Sequence, residues 1–390
     1  MPTKVENLAF AAFILTAILS IRNPTGENVF RSAFILDQSD VGADDSVRGW
    51  SAKKANLIPT GLMYDFYTDT CPNATTIVRS TMSEILKERN DTTAALLRLL
   101  FHDCFIEGCD ASVMLGDSNG NRNKSIERQV IPNKTLKGFD TIDKIKEELE
   151  KACPGVVSCA DTLVLASRDS IHMAGGPFYL VFTGRRDSTQ SYYDVAKAEI
   201  PKPDGDINET LLLFSQRGFD ARETVSLLGA HNVGKIGCQF IQSRLNNFKG
   251  TGRPDPTLTT SFLNELKETC QDNNSSDNSF SPTPISSRKL LESSNKMEMT
   301  YYHELSTAIP SWSGLDSHYY RGLINNRGLL FADQQLMADD RTRGIVIDYA
   351  SDAGSTFRRD FVRAMFKLSN LNVLTGQDGV VRLQCNIPVN

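Results

Sequence analysis

At 390 residues the chain is long enough for one large core or two lobes. Hydrophobic residues at 40% and charged residues at 23% are the balance of an ordinary soluble globular protein. The formal net charge of −5 lacks the basic surplus of a phosphate-tracking protein, which argues against nucleic acid as a partner and gives no pull toward an anionic membrane.

The chain opens with an apolar run of about fourteen residues, Leu8 to Ile21, preceded by Lys4 and followed by Arg22. A bilayer span needs roughly 20 residues, so residues 1–21 read as a secretory signal peptide. No clean small-x-small cleavage site stands out, which keeps an uncleaved signal anchor as the alternative. Residues 22–60 lack a sustained apolar period and read as an exposed extension. Compact structure is expected from about Leu62.

Helices are then expected in order. Ala74 to Arg89 places Ile77, Met82, Ile85 and Leu86 roughly on one face. Thr92 to Phe105, with Leu96, Leu97, Leu99 and Leu100, reads as largely buried. Phe139–Ala152 and Ser158–Met173 complete the first half. Ile207–Gln216, Ala221–Leu228, Gln239–Phe248, Thr260–Thr269 and Phe357–Leu368 follow in the second. Few segments alternate like strands, so the fold class is all-α. Residues 271–296, rich in Ser and Asn, read as a disordered insertion in a loop.

Eight cysteines in a chain with a secretory leader favour four disulfides, in more pairings than spacing can choose among. Cys104 and Cys109 have no second pair at zinc-ligand spacing. Seven N-x-S/T triplets, at Asn73, Asn90, Asn123, Asn133, Asn208, Asn273 and Asn274, fit the secretory route, although such triplets also arise by chance.

The densest chemistry lies in Leu97-Arg98-Leu99-Leu100-Phe101-His102-Asp103-Cys104-Phe105. Arg98 and His102 are four apart and share one helix face. A neutral imidazole can take a proton from one peroxide oxygen and return it to the other. A fixed guanidinium stabilises the charge that develops as the O–O bond breaks. Alone, such a pair is more often structural. A second histidine, His231, ends the apolar run Leu227-Leu228-Gly229-Ala230 just before Asn232-Val233-Gly234, where an imidazole can face a cleft. It becomes a metal ligand only if a carboxylate orients it, and Asp333 is a candidate.

These blocks, in this order, resemble the secretory plant peroxidases, the class III haem peroxidases, from about Leu62 to Cys385. Arg98 to Ser112 is similar to the family's distal signature and Leu228 to Gly234 to its proximal one. Val157-Ser158-Cys159-Ala160-Asp161, Gly175-Gly176-Pro177, Gly184-Arg185-Arg186-Asp187 and Leu329-Leu330-Phe331-Ala332-Asp333-Gln334 also match family blocks. The resemblance implies a two-lobed all-α fold, with a distal lobe over 61–205, a proximal lobe over 206–390 and haem b between them.

It further implies His102 as the distal acid–base, Arg98 as the stabiliser of the breaking bond, and Phe101 beside the haem. Asn133 would accept a hydrogen bond from His102, which would bury it and leave its sequon unused. His231 would ligate iron, with Asp333 taking its second N–H. Pro201 would sit at the haem edge where phenols dock, with a plain loop proline as the equal alternative; Phe240 either lines that edge or packs in the core.

The implied disulfides are Cys71 with Cys153, Cys104 with Cys109, Cys159 with Cys385, and Cys238 with Cys270, tying the lobes together. A distal calcium would use Asp103, Ile106, Gly108, Asp110 and Ser112, with Glu127 behind it through water. A proximal calcium would use Asn232 and Asp316. However, the family has Thr or Ser where Asn232 stands, and an Asp-x-x-Thr-Pro block where this chain has Ala308-Ile309-Pro310-Ser311-Trp312, so that site is expected to be weak or absent. His172, His303 and His318 match no family role.

The activity implied is reduction of hydrogen peroxide with one-electron oxidation of small phenolic donors, by a secreted protein expected to act as a monomer. Two rival readings are a haem protein that binds or senses without turnover, and a disulfide-rich extracellular module with no cofactor.

Overall fold

The computed structural model describes residues 59–89, 91–117, 125–271, 298–300 and 315–389. The leader, the extension up to residue 58, the Ser/Asn-rich stretch from 272 and the 308–312 block therefore lie outside the described residues. From Pro59 onward the chain forms one compact unit.

Thirteen α-helices are described: α1 (Ala74–Glu88), α2 (Thr92–Cys104), α3 (Phe139–Ala152), α4 (Cys159–Met173), α5 (Tyr193–Glu199), α6 (Ile207–Gln216), α7 (Ala221–Leu228), α8 (Gln242–Asn246), α9 (Thr260–Gln271), α10 (His318–Ile324), α11 (Phe331–Gln335), α12 (Asp340–Ser351) and α13 (Ser355–Ser369). Two three-residue strands, β1 (Lys235–Gly237) and β2 (Glu298–Thr300), pair antiparallel with Ile236 opposite Met299. The all-α expectation holds.

Some helix starts follow from local chemistry. Ser158 accepts the Asp161 N–H, Asp206 accepts that of Glu209, and Asp220 forms a reciprocal box with Glu223. These oxygens occupy amide donors that a helix's first turn cannot satisfy itself.

The expected helix over Gln239–Phe248 is instead a turn at Cys238–Phe240, the short α8 and a second turn at Phe248–Gly250, where Lys249 adopts a left-handed conformation. Helices α5, α10, α11 and α12 were not expected. In α12 the residues Gly344, Ile345, Val346 and Ile347 weaken helix propensity and blur the face.

The helices pack in two groups. In the first, α1, α2 and α3 all contact α4, whose residues Cys159 to Ile171 are buried throughout. In the second, α7 lies on α12 and α13, and α10 lies on α12. Helix α13 also meets α2, and one apolar core runs from Val78, Leu100 and Leu163 to Phe214, Phe357 and Phe361. Burying such a core is the main favourable term in the fold.

All four disulfides have the implied pairing. Three lie within one half of the chain; only Cys159–Cys385, separated by 226 residues, joins the two halves. The expectation that the bridges as a set tie the halves together therefore narrows to one.

Two of the sequence blocks serve the fold. Buried Asp161 accepts hydrogen bonds from Tyr67 Oη (2.7 Å), the Gly184 and Arg185 amides and Arg185 Nη1 (2.8 Å). Asp187 takes the Cys159, Ala160 and Arg382 amides, which anchors the start of α4. Each carboxylate is buried but amply hydrogen-bonded, the condition under which a buried charge is tolerated.

Candidate active site

A cleft of about 390 Å³ opens between the helix groups, with Phe101 and His102 of α2, Leu228 at the end of α7 and His231 just after it among its lining. Its walls are mainly apolar, as expected of a pocket for a flat, largely hydrophobic group.

On one wall, His102 is buried, and its Nδ1–H donates to Asn133 Oδ1 at 2.6 Å. The tautomer follows from the amide, because Asn133 Nδ2 donates to the Glu127 carbonyl at 2.9 Å, which turns Oδ1 to the imidazole. The lone pair is then on Nε2. Burial, and next the Arg98 charge, push the His102 pKa down to about 3, so the ring is neutral at ordinary pH.

Arg98 lies one turn earlier and lines the same cleft; it donates to the Pro132 carbonyl (2.6 Å) and to Thr135 Oγ1 (3.2 Å). Burial lowers its pKa to about 10, still leaving a cation. Phe101 stacks on Phe105 and Phe214 with ring centroids 4.7 and 5.9 Å away. Asn133 is buried with both ends of its amide engaged, so its sequon is closed to modification.

On the other side, α7 ends at Leu228, and a turn over Gly229–Asn232 presents His231 to the cleft. Gly229 is required there: a Cβ would sit 2.0 Å from Tyr320 Oη and 2.5 Å from Phe357. His231 Nδ1–H donates to Asp333 Oδ1 at 2.8 Å, which puts the imidazole lone pair on Nε2. Asp333 is fully buried at the start of α11, and its Oδ2 accepts the Leu330 amide at 3.1 Å. The hydroxyl of Tyr319 also donates to Asp333 Oδ1, at 2.9 Å. Sequence reasoning missed Tyr319, and no spacing signal connects it to Asp333. Pro201 and Phe240 are both half-buried and both line the cleft.

The last turn of α2 and the segments that follow gather Asp103, Ile106, Asp110, Ser112 and Glu127, all buried, with Gly108 at the tight turn between them. At Gly108 a Cβ would fall 2.4 Å from the Asn372 carbonyl oxygen. Asp103 Oδ1, Ser112 Oγ and Glu127 Oε2 are buried without a hydrogen-bond partner. Burial and mutual repulsion raise the Asp103 pKa well above the usual carboxylate range; burial chiefly pushes Asp110 up to about 6 and Glu127 to about 7. Orphaned oxygens beside carboxylates that resist ionisation fit a hard cation. Among the described residues no three carboxylate, imidazole or thiolate side chains could hold an ion by themselves. A cation here would need the hydroxyl and main-chain oxygens as well.

The Asn232–Asp316 region differs. Asn232 Nδ2 donates to the Asp316 carbonyl at 2.6 Å, and its Oδ1 accepts the Tyr319 amide at 3.3 Å. Asp316 Oδ1 accepts the His318 amide at 2.8 Å and also bonds the His318 ring. These bonds hold Asp316 below the usual carboxylate range despite its burial. Asn232 Oδ1 and Asp316 Oδ1 are thus engaged by protein donors, which leaves fewer side-chain oxygens for a cation than in the distal loop. His318 is thus structural, while His172 is exposed beside Phe178. His303 lies outside the described residues.

The Peroxidase family model matches residues 78–352. Putative Peroxidase 48 of Arabidopsis thaliana is 44% identical over 335 residues, covering 83% of this chain and 82% of that protein. Peroxidase 57 of the same plant is 37% identical, covering 83% and 91%. A peroxidase of Armoracia rusticana is 36% identical, covering 86% and 93%. The chain belongs to the peroxidase family, on its class III plant side. It is an enzyme of that class, a haem peroxidase in fold and activity.

Proposed function

We propose that the cleft would hold haem b through His231, with His102 and Arg98 acting on the peroxide, and that hydrogen peroxide is reduced there at the expense of small phenols. The observation that carries this reading is the pairing of two imidazoles along one apolar cleft, each with its Nδ1–H on an oxygen and its Nε2 lone pair available for chemistry. When bound, the haem supplies the iron at which peroxide is cleaved and the electrons are exchanged.

The chain's own residues do the rest. His102 Nε2 would accept a proton from one peroxide oxygen and return it to the other, so that water could leave. Asn133 holds the ring in the tautomer that makes this possible. Arg98 offsets the negative charge on the departing oxygen. Asp333 draws on the His231 N–H and increases its donor strength toward the metal. Pro201 and Phe240 border the cleft where a phenol would meet the haem edge, and each of two donors gives one electron.

A single calcium is proposed in the distal loop, held by Asp103, Asp110, Ser112 and the carbonyls of Ile106 and Gly108, with Glu127 reached through water. Secretion, with glycans on exposed sequons such as Asn73 and Asn208, and action as a monomer complete the proposal. Among the described residues no helix is long and apolar enough to cross a membrane.

The test is an absorption spectrum of the haem-loaded protein before and after one equivalent of peroxide. A Soret band that shifts at once and recovers on adding a phenol is the expected result. A Soret band indifferent to peroxide would leave a haem protein that senses or binds. No Soret band in a folded, disulfide-intact chain would refute the haem assignment.

A further inference from the structure

Behind His231 the hydrogen bonds close into a ring. His231 Nδ1–H donates to Asp333 Oδ1 at 2.8 Å, and the same oxygen accepts the Tyr319 hydroxyl at 2.9 Å. The backbone amide of Tyr319 donates to Asn232 Oδ1 at 3.3 Å, and Asn232 is covalently next to His231. The side-chain amide of Asn232 also donates to the Asp316 carbonyl, which fixes the turn that opens α10. Tyr319, Asn232 and Asp333 are all buried, and the Tyr319 ring meets His231 edge-on with centroids 6.4 Å apart.

We infer that Tyr319 is a positioning and tuning residue for His231, and that Asn232 is the side chain that couples it to the ligand turn. The inference rests on the reading of His231 as the iron ligand.

Two physical consequences follow. First, a carboxylate oxygen shared between a phenol O–H and an imidazole N–H accepts less strongly from each than it would from one. Tyr319 thus restrains the pull of Asp333 on the His231 proton, which keeps the imidazole less anionic and the bond to iron weaker. Second, Asn232 fixes the Tyr319 backbone relative to His231 through protein groups alone. With both ends of its amide used, Asn232 ties the ligand turn to the start of α10.

The experiment uses the full-length, haem-loaded protein with its disulfides intact. Tyr319→Phe removes one hydroxyl and keeps the ring that packs in the core. In the ferrous protein, the iron–histidine stretching band seen by resonance Raman should move to higher frequency, and the ferric/ferrous reduction potential should fall. Asn232→Ala should shift the same two readouts by loosening the Tyr319 backbone, and most of its shift should vanish in the Tyr319→Phe background, the signature of coupled sites.

A Tyr319→Phe protein with a normal Soret band but an unchanged stretch and potential would overturn the tuning role. Strictly additive shifts in the double variant would overturn the ring. Absence of an iron–histidine band in the parent protein would mean that His231 is not the ligand, which is a failure of the underlying reading and not of the ring. If Tyr319→Phe does not take up haem, Asn232→Ser takes its place. It keeps a smaller acceptor and should move the band less than Asn232→Ala; equal or greater movement would overturn the coupling.

Discussion

The two sides of the cleft handle their buried carboxylates differently. On the His102 side, three oxygens of Asp103, Ser112 and Glu127 are sealed from solvent without partners. On the His231 side, Asn232 Oδ1, Asp316 Oδ1 and both Asp333 oxygens accept from protein donors, and Ser317 Oγ is the buried hydroxyl without a partner beside Asp316. The first arrangement, with two carboxylate oxygens and a hydroxyl sealed off together, is unfavourable unless a cation completes it; in the second, protein donors already serve most of the described carboxylate and amide oxygens. The two sides also treat their histidines differently. His102 is isolated by burial and kept neutral so that it can move a proton. His231 is tied to a carboxylate, which suits a permanent ligand.

That contrast is broken most directly at His102. Replacing it with Leu should leave haem binding intact and slow the reaction with peroxide by about 10²–10⁴-fold, the usual weight of a positioned acid–base group. Stopped-flow mixing with peroxide measures this; a fast reaction in the variant would show that another group moves the proton. Arg98→Leu should cost somewhat less, about 10²–10³-fold, in the same assay. On the opposite side, Asp333→Asn should act on the ligand and not on the proton. It is expected to cost roughly 10–100-fold in haem retention or turnover, with haem loss followed by transfer to a stronger acceptor. An Asp333→Asn protein that keeps its haem and full turnover would remove the distinction between the sides.

Calcium sharpens the same comparison. Metal analysis should find one tightly held calcium per haem, and two would contradict the closed arrangement around Asn232. Chelation should lower the melting temperature, and the pH dependence has a definite sign. Glu127 and Asp110 titrate near 7 and 6 in the folded, metal-free protein, above their ordinary values. Their favourable neutral forms are fully present in acid and are lost as pH rises through those values. The drop on chelation should therefore be larger at pH 8 than at pH 5; an equal drop would place calcium elsewhere.

The helices with a clear apolar period were legible in the sequence, and so was the Arg98–His102 pair, because four residues on a helix is a fixed geometry. Helix α12 was not, since its β-branched run and Gly344 hide the period and its start rests on one cap, Asp339. Helix α10 was hidden because Asp316 reads as a ligand in a loop, whereas it helps anchor the amide of His318, the first residue of that helix. The partners of the two histidines lie 31 and 102 residues away. Only family resemblance could connect such pairs, and Tyr319, which no family role flagged, was invisible until α10 and α11 were placed together. Packing decides such contacts, not spacing.

The smallest effect comes from His102 and concerns stability. Its folded pKa of about 3 lies below the ordinary value of 6.5. Between those values the unfolded chain takes up a proton that the folded chain refuses, so stability falls as pH drops through that window. The limiting slope for one such group is about 1.4 kcal/mol per pH unit. With calcium saturating, urea midpoints measured from pH 7 to pH 4 should decline less steeply in His102→Gln than in the parent, because glutamine carries no titrating group. The same decline in both would mean that His102 is protonated in the fold, and a protonated imidazole could not serve as the base on which the contrast between the two sides depends.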